Sequence, residues 1–253
     1  MRVTAIVFAV ALLTAGSASA QDWEQYTSIQ DGFKIDFPGQ PKVAEIKWKS
    51  EYGYELPARV YTVDKGKEHY SMTVVDYTGI DQMGRERSAK CPPGAETCQG
   101  QRQGGLLSVI GPAYSTQDIR GALVYASFQF IKRDAKITAY LWNWEDLVEG
   151  HEIHLTNNAD QSRTMAFIAM RQNRLYVMEG TVPKGYPEPG LFYQSLGWVD
   201  KAGNGVRYQQ IYVNEIYGLG LYPEPGYGQG GQFQGGGGRG AGAGGQAQPP
   251  AGR

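Results

Sequence analysis

Cysteine is scarce in this 253-residue chain: there are 2, and there are 3 histidines. So small a supply rules out a cysteine-rich scaffold and leaves few ways to build a zinc site from several converging ligands. Charge of one sign is missing too. Lys and Arg total 24 and Asp and Glu total 25. Such balance gives no electrostatic footprint for nucleic acid or an anionic membrane. After the first 20 residues no run of 18 apolar residues occurs, so no membrane span is expected. Signature loops are absent as well. There is no G-x-x-x-x-G-K or strand-borne G-x-G-x-x-G phosphate loop and no G-x-S-x-G nucleophile elbow. No catalytic residue, metal ligand set or cofactor site is expected, and composition names no activity.

What is present begins with an address. Arg2 precedes a short apolar run from Ile6 to Leu13, and Ala18-Ser19-Ala20 forms an A-x-A cleavage site before Gln21. This pattern predicts a secretory signal peptide over 1–20, cut between Ala20 and Gln21. The mature protein is then expected to be periplasmic or secreted. Cys91 and Cys98 bracket Pro92-Pro93-Gly94. In an oxidising compartment that spacing favours a disulfide, worth roughly 2.5 kcal/mol by loop entropy. The rival readings, a metal pair or a redox dithiol, lack further ligands or the C-x-x-C spacing.

Glycine is unevenly spread: of 35 glycines, 15 lie from Gly218 onward. That stretch has no regular apolar spacing and cannot bury enough surface to offset its ordering entropy. A folded domain over 23–217 and a disordered tail over 218–253 are therefore expected. Tyr186-Pro187-Glu188-Pro189-Gly190 recurs as Tyr222-Pro223-Glu224-Pro225-Gly226. Without matching flanks the second copy reads as linker.

Alternating apolar residues predict strands at 33–37, 43–48, 56–63 and 70–77, joined by short turns into an antiparallel meander. The polar stretch 79–105 reads as a surface excursion. Thr116 or Asp118 can cap a helix running to Ile131. Further strands are expected at 136–144, 152–155, 164–170, 175–181 and 206–216, with turns at Asn157-Asn158 and Gln172-Asn173. Pro189 and Gly190 open a short helix over 191–198. The expected fold class is α+β, a largely antiparallel sheet with helices packed on it.

The segment Asp31-Gly32-Phe33-Lys34-Ile35-Asp36-Phe37-Pro38-Gly39-Gln40-Pro41 has the form D-G-F-x-I-x-F-P-G-x-P. It resembles the opening of a group of exported bacterial proteins of unknown function. Arg171 to Met178, followed by Leu191-Phe192-Tyr193-Gln194-Ser195-Leu196, is similar to that group's closing pattern. The resemblance implies a PsbP-like α/β/α sandwich, whose members bind partners and are not enzymes. No ligand or metal residue carries over.

Several clusters have a bland reading beside a functional one. His151-Glu152-Ile153-His154 lacks the H-E-x-x-H helix spacing, and residues three apart on a strand point to opposite faces. Ser195 has no motif around it. Glu145, Asp146 and Glu149 beside Trp142 and Trp144 make the best candidate sugar cleft. Lys42, Lys47 and Lys49 around Trp48 read as protection of an edge strand. The function expected is an exported cell-envelope binding or accessory protein, non-enzymatic, whose partner is an unknown envelope protein or polymer. The alternative is an envelope hydrolase with a dispersed active site. Intact-mass analysis of the exported protein is expected to lack residues 1–20, and non-reducing peptide mapping to link Cys91 to Cys98. A mature protein retaining Met1, or two free thiols, would reverse these readings.

Overall fold

The computed structural model describes residues 23–93 and 114–214. The expected signal segment with its expected Ala20–Gln21 cleavage site, Cys98 and the Gly-rich tail lie outside the described residues. Among the described residues no helix is long and apolar enough to cross a membrane.

The larger of two sheets is antiparallel throughout. In chain order its strands are β3 (Lys42–Lys49), β4 (Glu55–Lys65), β5 (Glu68–Asp76), β6 (Ala135–Glu145), β7 (Val148–Asn157), β8 (Arg163–Arg171) and β9 (Arg174–Val182). They lie side by side in the order β3-β4-β5-β9-β8-β7-β6. The smaller sheet, β1-β2-β10-β11, joins β1 (Glu24–Ser28) and β2 (Phe33–Phe37) to β10 (Gly197–Val199) and β11 (Gly205–Val206). Three helices complete the described chain: α1 (Ile80–Ala89), α2 (Ser115–Ile131) and α3 (Gly190–Gln194).

Alternation along each strand sorts side chains to two cores. Phe33, Ile35 and Phe37 of β2 and Trp198 of β10 share one buried cluster with Met72, Phe167, Tyr176 and Met178 of the large sheet. On the opposite face Ile119, Ala122, Ala126 and Phe130 of α2 share a second cluster with Ala166, Ile168, Leu175 and Val177. Central strands β8 and β9 feed both clusters, so their apolar residues run on without alternation. Their connection is a two-residue turn at Gln172 and Asn173, both with φ above +50°, the geometry a tight hairpin favours.

Polar contacts tie the small sheet to the large one. Asp31, in the turn before β2, is buried and accepts from Arg59 Nε at 2.7 Å and from the Tyr61 hydroxyl at 2.5 Å. The Tyr176 hydroxyl donates to the Asp31 carbonyl at 2.7 Å. Arg171 is fully buried between the sheets, donates to the Tyr208 hydroxyl at 2.7 Å and stands over the Trp198 ring at 5.4 Å. Gly32 is required beside it: its φ is +71°, and an added Cβ would meet Arg171 at 3.2 Å.

Four expectations need correction. The strand at 33–37 does not begin the meander; it belongs to the second sheet, and the meander is β3-β4-β5. The excursion after Gly79 holds helix α1, whose only buried residues are Ile80 and Gly84, so it left no amphipathic stripe to read. The helix expected over 191–198 stops at Gln194, because Ser195 caps it and Trp198 is needed in β10. Of the strand expected at 206–216, Gly205–Val206 is β11 and Tyr212 makes a single bridge to Val148, while 215–216 lie outside the described residues.

Removing one member of a buried ion pair strands the other. Asp31→Ala is therefore expected to cost about 3 kcal/mol in urea unfolding. Loss below about 0.5 kcal/mol would mean the tie contributes little.

Candidate functional site

The hairpin of β6 and β7 gathers most of the side chains with chemical potential. Its turn is Asp146-Leu147, with φ of 47° and 62°. That turn fixes the register: Leu141 lies opposite Glu152, Trp142 opposite His151, Asn143 opposite Gly150 and Trp144 opposite Glu149. Two faces result, and they differ in kind.

The face shared with α2 carries Tyr140, Trp142 and Trp144. They are 46%, 50% and 43% exposed, although aromatic rings this large are usually covered. Trp142 and Trp144 meet at 4.9 Å between centroids, tilted by 55°. The Trp142 indole N–H reaches Glu149 Oε2 at 3.3 Å. The Tyr140 ring stands edge-on to His151 at 5.4 Å. Together they form an aromatic ledge on the outermost strand of the sheet.

His151 also lies 2.8 Å from Ser127 Oγ, a pairing with the outline of a nucleophile and base. The proton count argues otherwise. Ser127 donates its hydrogen to the Leu123 carbonyl at 2.8 Å, so its oxygen is left to accept from His151 Nδ1–H. Ser127 is also fully buried, beyond reach of a substrate. Burial pushes His151 below its ordinary value, which holds the ring neutral.

The opposite face carries Glu145 and Glu152. Glu152, nine-tenths buried, accepts from Asn143 Nδ2 and His154 Nε2, each at 2.5 Å. Tyr193, delivered by α3, lies 3.4 Å from Asn143 Nδ2, and burial beside Glu152 raises its hydroxyl above the usual phenol range. Burial first, then the charges of Glu152 and Asp146, push Glu145 up to about 7. This face can hold a proton near neutral pH.

The candidate sugar cleft is thus divided. Trp142, Trp144 and Glu149 project to one face and Glu145 to the other. His151 and His154 part in the same way, bonding Ser127 and Glu152 respectively. His69 is elsewhere, 2.7 Å from Asp64 on the β4–β5 hairpin. Among the described residues no group of three or more His, Cys, Asp or Glu side chains is arranged to hold a metal. Ser195 accepts from the Asp36 N–H and donates to the Phe192 carbonyl, each at 2.8 Å, so it serves as a helix stop. Trp48 packs into the α2-side core, while Lys42, Lys47 and Lys49 line the opposite outer strand, exposed. Cys91 follows α1, its sulfur 3.3 Å from the Arg87 carbonyl oxygen; its expected partner lies outside the described residues. In the first Pro-Glu-Pro copy, Glu188 pairs with Arg163 at 3.0 Å.

Asn143, Ser127 and Tyr193 carried no signal by themselves. The signal was available in the hairpin arithmetic. Once 146–147 is read as a turn, Asn143 and Glu145 must share a face with Glu152 and His154.

Glu145 sets a pH dependence. Its folded-state value is raised above the ordinary 4.5. Between that value and about 7 the folded protein binds the extra proton, so stability falls as pH rises through this window. Glu145→Gln is expected to raise the denaturation midpoint relative to wild type at pH 8 and to leave it unchanged near pH 4. Equal shifts at both pH values would show that the carboxyl is not the source.

No family model matches the chain, and no curated protein matches it. Among solved structures, the solution structure of cyanobacterial PsbP (CyanoP) from Synechocystis sp. PCC 6803 is similar to this chain. The likeness covers 74% of this chain and 99% of that one, at 11% identity and a TM-score of 0.39. A match at that level carries no argument about what the protein does.

Proposed function

We propose that the protein is an exported cell-envelope binding or accessory module, acting without catalysis, periplasmic or secreted, and that the ledge of Tyr140, Trp142 and Trp144 is its binding surface. One observation carries this reading: two indole rings half-exposed side by side on an outer strand, where they fill no core. Indoles in that position offer large, rigid contact area with little entropy to lose, the qualities of a binding anchor. Glu149 and the Tyr140 hydroxyl place polar groups along the same ledge, which suits an envelope protein or a hydroxyl-rich polymer. The A-x-A site at Ala20 supports export, and Cys91 bonded to Cys98 is the expected companion of that address. The layered arrangement is read as a PsbP-like sandwich with helices packed on the sheet. Shared burial of Ile119, Ala122, Ala126 and Phe130 with β8 and β9 supports it.

The alternative of a hydrolase finds one support, the proton-holding Glu145 beside Glu152. Against it, the Glu145 and Glu152 carboxyl groups and the aromatic ledge occupy opposite faces, so no single cleft joins that proton-holding pair to the indoles.

The test is retention on envelope fractions. Trp142→Ala/Trp144→Ala is expected to keep the wild-type circular dichroism and thermal midpoint while losing at least about tenfold in affinity for the captured envelope component. Unchanged capture would remove the ledge from the reading. Capture that depends on Glu145→Gln instead, with release of cleaved polymer by the wild type, would favour the hydrolase.

A further inference from the structure

Among the described residues the large sheet ends in two strands, β3 and β6, each with a row of backbone N–H and C=O groups that no neighbouring described strand uses. They are protected unequally. β3 carries Lys42, Glu45, Lys47 and Lys49, all exposed. β6 from Ile137 to Trp144 reads Ile-Thr-Ala-Tyr-Leu-Trp-Asn-Trp, with no charge, no proline and no glycine. A long, exposed, uncharged outer strand is a template for another strand. Charges occur at its two ends, Lys136 and Glu145.

We infer that the free edge of β6 is an interface between two copies of this chain, paired antiparallel about a two-fold axis at Leu141, so that two large sheets become one. In such a pair each side chain must meet one from the second copy on the same face of the sheet. The ladder with β7 shifts between Ile137 and Ala139: Ile137 pairs with Leu155, and Ala139 with His154. Thr138 is therefore the extra residue. Leu155 and Ile153 both belong to the α2-side core, which puts Ile137 on the same face as Tyr140, Trp142 and Trp144. Lys136 opposes Thr156 and Glu145 opposes Val148, so these two share the other face.

Fold that pattern back on itself about Leu141, with Thr138 outside the ladder, and every pair agrees in face. Tyr140 meets Trp142 of the second copy, and Ile137 meets its Trp144. Ala139 meets Asn143. At the ends Lys136 meets Glu145 of the second copy, twice by symmetry. Sliding the register by two residues in either direction leaves both charges unmatched. The complementarity of charge and the matching of faces select a second copy over a strand of unrelated sequence. The inference does not depend on what the ledge binds. Leu141 points away from the ledge, so its replacement leaves Tyr140, Trp142 and Trp144 in place.

The test uses the full mature chain in sedimentation velocity and native mass spectrometry. Wild type is expected to dimerise. Leu141→Lys sets two like charges across the axis and is expected to give a monomer with unchanged circular dichroism and thermal midpoint. Lys136→Glu is expected to weaken the dimer about tenfold at low salt and pH 8, where Glu145 is ionised. Leu141→Cys is expected to form a covalent dimer under mild oxidation, with the linkage mapped to position 141, while Val43→Cys on β3 does not. A wild type that stays monomeric at its highest soluble concentration overturns the inference. So does a dimer that survives Leu141→Lys, cross-linking no greater at position 141 than at 43, or a monomer whose β6 is held by a strand from another protein.

Discussion

The two strands at the centre of the large sheet, β8 and β9, carry apolar side chains on both faces and have no face to offer to water. Everything around them follows from covering those faces. One side is covered by the small sheet, which sets Phe33, Ile35, Phe37 and Trp198 against Phe167, Tyr176 and Met178. Helix α2 contributes Ile119, Ala122, Ala126 and Phe130 to the core on the other. The polar tie through Asp31, Arg59 and Arg171 acts beneath this apolar cover. Hydrophobic contact alone would hold the small sheet against the large one without fixing its orientation, because it is non-directional. Paired and buried charges supply the direction.

This cover stops short of the sheet's outer strands. β6 makes its ladder to β7 on one side only, and its side chains are half-exposed or exposed along its whole length. The aromatic ledge is therefore a product of position as much as of residue type. The same indole has two outcomes in this chain: Trp198 is enclosed between the sheets, and Trp142 stands half-exposed. The carboxyl groups of the hairpin show a matching effect. Glu152 is held by Asn143 and His154, whereas Glu145, nearer the turn, faces burial without a cation to offset it.

Much of the strand content was legible from alternation. β2 could be read from Phe33-Lys34-Ile35-Asp36-Phe37, and the turn between β8 and β9 from Gln172-Asn173. Helix α2 was found from its apolar spacing. What escaped had a physical reason. Helix α1 buries little, so periodicity could not reveal it; it is held by Arg87, which stacks on Tyr54 at 4.0 Å and donates to the Tyr52 carbonyl at 2.8 Å. The assignment of β2 to a second sheet depends on pairing with β10, far away in sequence, and no local pattern encodes that. The division of the candidate cleft was legible in principle, since residue parity across a two-residue turn decides it. It was missed because Leu147 stands where such a turn usually has glycine, so Asp146 alone did not mark it.

The unequal protection of the two outer strands has a consequence for assembly. A sheet that could add strands at both edges would propagate, each molecule linking two others into an open fibre. Here the lysines of β3 make that edge unreceptive, so among the described residues the large sheet has a single point of extension. In the two-copy pairing inferred above, growth through β6 exhausts itself in one step and closes. On that inference the chain keeps a long uncharged strand at its surface without becoming a repeating unit.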